Sequence, residues 1–254
     1  MSEPGRRRSQ RRLSQTYTWV AFALAAIAGA VDGIGYIILA HIFTSHMSGN
    51  TVALMLHVAS GNWHEAWRHF EPIVAFFCGV FFGLATTDTL LQMKLKRMFG
   101  AIAVTEVALL IAFFLVAHPV EQWMVVLPAG AMGIQNAMLR RVGHHSVRTT
   151  YMTGMLTNCA QGLVEAVFAK LGKDDDATDK FKDFLLYGGI WLAFAIGGIV
   201  GAVLQLQHGS VSLFLPIGGL AGLILYDLFD PVTQPAPEKT DDKSEEASSR
   251  REAG

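Results

Sequence analysis

The sequence predicts an all-α, polytopic membrane protein: six transmembrane helices plus two short re-entrant or broken helices, arranged as an inverted internal repeat. Composition carries the first part of this. Of 254 residues, 52% are hydrophobic and only 16% charged, mean hydropathy is +0.36, and the apolar residues fall in long blocks rather than the short alternating strands of a barrel. Two polar stretches carry the second part. Residues 44–54 and 149–161 each follow a long apolar run and hold a Met-Ser/Thr-Gly core, Met47-Ser48-Gly49 and Met152-Thr153-Gly154. Neither has the roughly 20 apolar residues that a spanning helix needs. Interrupted segments at matching places in two halves point to a pore or binding site. The third observation is where the positive charges lie.

In order, the chain reads as a basic cytoplasmic N-terminal tail (1–17), a transmembrane domain (18–229) and a mixed-charge, disordered cytoplasmic C-terminal tail (230–254). The basic start resembles a signal peptide, but the apolar run after Trp19 is too long for one and lacks a clear cleavage site, so it is expected to be retained as the first span. Span one covers 18–43 and carries Asp32 among Gly29, Gly33 and Gly35. The first short segment follows, then a wet loop at 62–69. Span two covers 72–91, with Gly79 and Gly83 at GxxxG spacing, and ends at the basic turn 94–97. Span three, 98–117, contains Glu106, and His118-Pro119 makes a turn. Span four, 123–139, carries Gln135 and Asn136. After Arg140, Arg141, His144, His145 and Arg148 comes the second short segment. A charged loop, 170–183, leads to span five at 184–206 and span six at 211–229.

Charge decides whether the short segments cross. If each dips in and returns, and the N-terminus is inside, all but Arg68 of the 20 Lys and Arg are cytoplasmic. If both cross, the basic clusters at 94–97 and 140–148 move outside, against the positive-inside rule. The expected topology therefore has six full spans and both termini in the cytoplasm. Cys78 and Cys159 share no metal-type spacing and read as small buried hydrophobes.

A second match supports the repeat. The stretch 75–83 and the stretch 193–201 both read A-F-x-x-G-x-x-x-G. Repeat one then covers 18–117 and repeat two 123–229, with an insertion in the charged loop after Lys170. Three crossings per repeat is an odd number, so the halves face opposite ways, as in many secondary transporters.

Residues 28–36, A-G-A-V-D-G-I-G-Y, and 46–51, H-M-S-G-N-T, resemble the opening signature of the YoaK-like family of bacterial membrane proteins. G-I-Q-N-A at 133–137, Arg140-Arg141, Thr149-Thr150 and T-G-M-L-T at 153–157 resemble its second signature. The resemblance spans about 18–229 and implies a multi-span inner-membrane protein. It brings no substrate or reaction with it.

Asp32 is the leading candidate site residue. A mid-bilayer carboxyl costs roughly 3 kcal/mol to insert, which points to a proton carrier, a cation ligand or a substrate contact. The competing role is a protonated Asp bonded to a neighbouring helix. Glu106 has the same two roles open. Ser48, Asn50, Thr51, Thr153, Thr157 and Asn158 offer hydroxyls and amides beside a helix break, where freed backbone groups also face a ligand; singly, such groups bond between helices. Gln135 and Asn136 either read polar substrate groups or bridge helices. His41 and His46 are further candidates, since imidazole is the side chain suited to proton exchange near neutral pH. His144 and His145 read as solvated loop residues. The tryptophans lie mostly near span ends, as interfacial anchors do.

These readings favour a small-molecule secondary transporter with a mid-membrane site built from Asp32 and the two polar segments. The partners are the lipid bilayer and an unknown small molecule or ion. No nucleic-acid partner and no cofactor are implied, and a homo-oligomer is compatible with the sequence. No nucleotide-binding loop, nucleophile motif or HExxH-like metal set is seen, so the chain is not expected to be an enzyme. The alternatives are a non-transporting scaffold or sensor and, after it, a membrane enzyme pairing Asp32 with a histidine.

Overall fold

A computed structural model describes the backbone of residues 3–92, 104, 106, 107, 110, 111, 121–138, 141, 142, 145–172 and 177–229. Seven α-helices account for most of it: α1 (Glu3–Ile38), α2 (Met47–Ala59), α3 (Trp63–Gln92), α4 (Glu121–Met138), α5 (Met152–Gly172), α6 (Ala177–His208) and α7 (Phe214–Phe229). A 3₁₀ turn, Gly209–Leu213, joins the last two, and a two-residue hairpin, β1 (Arg141–Val142) with β2 (His145–Ser146), precedes α5. Of the predicted span three, only Val104, Glu106, Val107, Leu110 and Ile111 are described, all helical. The basic turn 94–97, His118-Pro119, Arg140, His144, the acidic run 174–176 and the C-terminal tail lie outside the described residues.

Among the described residues, three stretches are long and apolar enough to cross a membrane: Thr18–Ile38, Trp63–Thr89 and Ala177–Phe229. The last runs through α6, the 3₁₀ turn and α7. Gly209, at φ +59, lets the chain turn there. Large apolar side chains face outward along these helices, among them Phe77, Phe81, Phe82, Ile196 and Ile199. In water that would be a liability; in a bilayer it is the lipid-facing surface.

Several boundaries differ from the sequence expectation. The helix of span one ends at Ile38, not Phe43, and it begins at Glu3, so the basic segment from Glu3 is helical rather than irregular. The expected wet loop at 62–69 is instead the start of α3. Asn62 is the reason: its Oδ1 accepts from the Glu65 N–H at 3.3 Å and its carbonyl from Ala66 at 3.0 Å, as an N-cap does. The first short segment is short, 13 residues in α2. The second is longer: α5 has 21 residues, about 31 Å at the ~1.5 Å rise of a helix, the length of a span, but it is not among the stretches apolar enough to cross.

α1 is the central helix. Its alanines favour helix and their small side chains are buried: Ala21, Ala25 and Ala28 are fully enclosed, with Leu24 and Ile34. α1 packs on α6 and α7, α3 packs on α4, and the two short-segment helices lie along their successors, α2 on α3 and α5 on α6. Two glycine seams bring backbones together. A Cβ at Gly29 would strike the Phe194 carbonyl and Gly198 N; at Gly197, the Ala26 carbonyl; at Gly201, Ala30. In the other seam a Cβ at Gly133 would strike the Phe76 carbonyl and Val80 N; at Gly79, the Gly130 carbonyl; at Gly83, Ala137 and Ile134. The contacts correspond residue by residue. Ala26, Gly29 and Ala30 map to Gly130, Gly133 and Ile134 by one constant shift in numbering. Phe76, Gly79, Val80 and Gly83 map to Phe194, Gly197, Gly198 and Gly201 by another.

Gly29→Val and Gly133→Val should each destabilise the fold by about 1–3 kcal/mol through overpacking, seen as a lower unfolding temperature in detergent. Gly218→Ala, where an added Cβ meets nothing within 4 Å, should change it little.

Candidate functional site

The site is built where α1 gives out. After Ile38 the chain turns through Ala40 (φ 50) and His41 (φ 74), two consecutive non-glycine residues in the left-handed region. The His41 N–H closes the helix end on the Tyr36 carbonyl at 2.9 Å. The unwound strand 42–46 then passes back beside Asp32, whose carboxylate gathers it. Oδ1 accepts from the Thr44 N–H (2.9 Å), the Thr44 hydroxyl (2.6 Å) and the Ser45 N–H (2.8 Å). Oδ2 accepts from the Ser45 hydroxyl (2.6 Å) and meets His46 Nδ1. Asp32, Thr44 and Ser45 are all buried. The His46 ring rests against Phe194 of α6, centroids 5.2 Å apart, and against Phe43 at 5.7 Å.

Asn50 completes the first cluster. Its Oδ1 accepts from the Phe43 N–H at 3.0 Å and its Nδ2 donates to the Phe43 carbonyl at 2.8 Å. The amide thus satisfies both backbone groups of an unwound residue, as buried backbone requires in lipid. The hydroxyls expected beside it do not converge. Ser48 and Thr51 are exposed, and Thr51 Oγ1 donates to its own helix at the Met47 carbonyl, 2.7 Å. In α5, Thr153 and Thr157 are exposed, with Thr157 Oγ1 back-bonded to the Thr153 carbonyl at 3.0 Å, and Asn158 is half-buried. A hydroxyl at an interrupted segment signals a polar group in the sequence; which face of the helix it occupies is decided by packing.

The second cluster lies between α4 and the approach to α5. Gln135 is fully buried; its Nε2 donates to the Leu24 carbonyl of α1 at 2.8 Å and to Thr149 Oγ1 at 3.4 Å. Arg148 Nη1 donates to the Asn136 carbonyl at 3.1 Å. Thr149 and Thr150 are buried, like Thr44 and Ser45 at the same positions before the first Met. Among the described residues, Oε1 of Gln135 and Oδ1 of Asn136 have no hydrogen-bond partner, and neither has either carboxyl oxygen of Glu106. Glu106 is buried, and Leu110, one turn on, belongs to the apolar core that also takes in residues of α1, α4, α5, α6 and α7.

A protein-family model described as "Protein of unknown function (DUF1275)" matches residues 20–226. The chain belongs to this family. It is similar to the UPF0700 transmembrane protein YoaK of Bacillus subtilis (strain 168), with 25% identity over 211 residues, 80% of this chain and 90% of that protein. No solved structure matches it. The YoaK-like assignment and the helical fold make it an α-helical membrane protein. The two sets of residues that resemble YoaK-like signatures now have a place: the first forms the Asp32–His46–Asn50 clamp, the second the Gln135–Thr149 link.

Sequence reasoning named Asp32, Asn50, Gln135, Asn136 and Glu106 among buried polar groups, and missed Thr44, Ser45, Thr149 and Arg148 as their partners. The signal was present: each Thr stands three residues before a motif Met. An apolar cavity of about 430 Å³ between α3 and α4, lined by Phe70, Val74, Phe82 and Leu127, involves none of the predicted site residues.

Asp32→Ala strips the partner from two buried backbone N–H groups and an imidazole, and should cost about 3–5 kcal/mol, the range for a buried ion pair broken on one side. Thr51→Ala should stay within about 0.5 kcal/mol. Denaturant or thermal unfolding of the purified chain measures both.

Proposed function

We propose that this protein is a small-molecule secondary transporter of the bacterial inner membrane, with six spans, an inverted repeat and no covalent catalysis. One observation carries it: among the described residues, buried acceptor oxygens of Glu106, Gln135 and Asn136 have no hydrogen-bond partner. An unsatisfied polar group in hydrocarbon costs several kcal/mol, and intramembrane ionisable groups mark substrate or ion pathways. Oxygen acceptors suit a cation, a proton or a substrate that presents hydrogen-bond donors. In this reading Glu106 is the coupling carboxyl, which takes up and releases a proton or cation. Gln135 and Asn136 orient the substrate's donors, and Gln135 is held in register by its bonds to Leu24 and Thr149.

Asp32 has a different part. Its oxygens are already engaged by five donors, so it holds the first polar segment in place rather than offering a free ligand. The inverted arrangement draws support from the matched glycine seams: the first helix of each half packs on the second long helix of the other. A twofold relation between halves gives that exchange directly. By the same shift, Asn136 corresponds to Asp32, so related positions carry a saturated carboxylate in one half and an open amide in the other.

Reconstituted into proteoliposomes, the wild type should give substrate-dependent proton or charge movement with at least one compound of a small-molecule panel. Glu106→Gln should reduce it at least tenfold with little change in unfolding temperature, since no described partner is lost. A wild type silent to the whole panel, or flux unaffected by Glu106→Gln and Asn136→Ala together, argues against the reading. Single cysteines on a background lacking Cys78 and Cys159 test the topology: position 68 should label from outside and position 96 from inside.

A further inference from the structure

The turn between α2 and α3 brings together three side chains that no linear motif announces. His57 comes from the last turn of α2. Glu65 and His69 lie four residues apart on α3, hence on one face of that helix. One ligand atom from each lies within 4.8 Å of the other two. The two imidazoles stack with centroids 5.4 Å apart and planes 14° from parallel. His69 is buried, and its Nδ1 has no hydrogen-bond partner among the described residues. A buried, unpartnered imidazole nitrogen beside a second imidazole and a carboxylate has no ready explanation in packing alone.

We propose that His57, Glu65 and His69 form a binding site for a first-row divalent transition-metal ion, best matched by zinc. Two imidazoles and one carboxylate are a donor set for borderline ions, not for calcium or magnesium, which take oxygen ligands. A tetrahedral zinc site with bonds of about 2.0–2.1 Å has ligand atoms about 3.3 Å apart. The present atoms lie within 4.8 Å of one another, so binding requires the ring of half-buried His57 to swing toward Glu65 and His69. Arg68 Nη1 lies 3.2 Å from both Glu65 oxygens. It fixes the carboxylate while leaving lone pairs for a metal, the role of an outer-shell partner. Three protein ligands leave a fourth position for water or a small ligand. Ser60, Gly61, Asn62 and Trp63 are all exposed, so the turn is a route for the ion. The site ties α2 to α3, next to the only Lys or Arg, Arg68, that the sequence expectation leaves outside the cytoplasm.

The test uses the full chain, purified without a histidine tag and stripped of metal, titrated with zinc chloride by calorimetry and by metal analysis after dialysis. One zinc per chain is expected, with a raised unfolding temperature. His57→Ala and Glu65→Gln should each weaken binding at least tenfold, as should His69→Gln if it folds. His64→Ala, an exposed histidine of the same turn outside the set, should bind as wild type does. Excess magnesium or calcium should not compete. No saturable binding, binding indifferent to His57→Ala and Glu65→Gln, or equal loss in His64→Ala overturns the assignment.

Discussion

The structure depends on one carboxylate holding one interruption of a helix. Where α1 ends, the chain enters two left-handed residues without glycine's freedom, at a cost of about 1–3 kcal/mol each, and then runs unwound through an apolar surround. Backbone in that state needs partners, because lipid offers none. Asp32 supplies them from within α1: it binds the backbone of Thr44 and Ser45, both hydroxyls and the His46 ring. Asn50 does the same for Phe43. The strained turn persists because side chains of fixed geometry over-determine it from both sides.

This local clamp matters for the whole molecule through His46. Its ring lies on Phe194, whose carbonyl is the group that Gly29 lets α1 approach. The break in the first half therefore rests on the seam between α1 and α6. The seam between α3 and α4 uses the same residue types at corresponding places. Close backbone approach through small residues is how membrane helices associate when burial from water drives nothing. The glycines are thus part of the same device as the clamp: they set the distance at which the polar turn meets its support.

The two polar clusters differ in what they leave open. Both Asp32 oxygens are engaged; among the described residues, Gln135 Oε1, Asn136 Oδ1 and both Glu106 oxygens have no hydrogen-bond partner. A saturated cluster contributes rigidity, and a half-satisfied one stores a demand for a ligand. That contrast is why the proposed coupling group is Glu106, in the third predicted span, and not Asp32, the carboxyl most prominent in the sequence. It also separates the Glu106, Gln135 and Asn136 oxygens from the His57–Glu65–His69 cluster, which lies at an exposed turn and offers two imidazole nitrogens beside one carboxylate.

Composition and block hydrophobicity were enough to determine an α-helical membrane protein, since lipid admits only helices and closed barrels and long apolar blocks are not the short alternating strands of a barrel. The paired Met-Ser/Thr-Gly motifs located both helix approaches, and Asp32, Asn50 and Gln135 were legible as buried polar groups because polar residues inside apolar runs are rarely idle. Direction was not legible. Whether Asp32 is saturated or free depends on strand 42–46 folding back across it, and whether Ser48 and Thr153 face a path or the outside depends on which side of α2 and α5 meets α3 and α6. The start of α3 at Asn62 hung on a single cap among residues that look wet. The histidine cluster was invisible because its members come from two helices, and only the turn between them sets the distance. Sequence periodicity reports what each helix contains; the crossings of helices decide which of those groups meet.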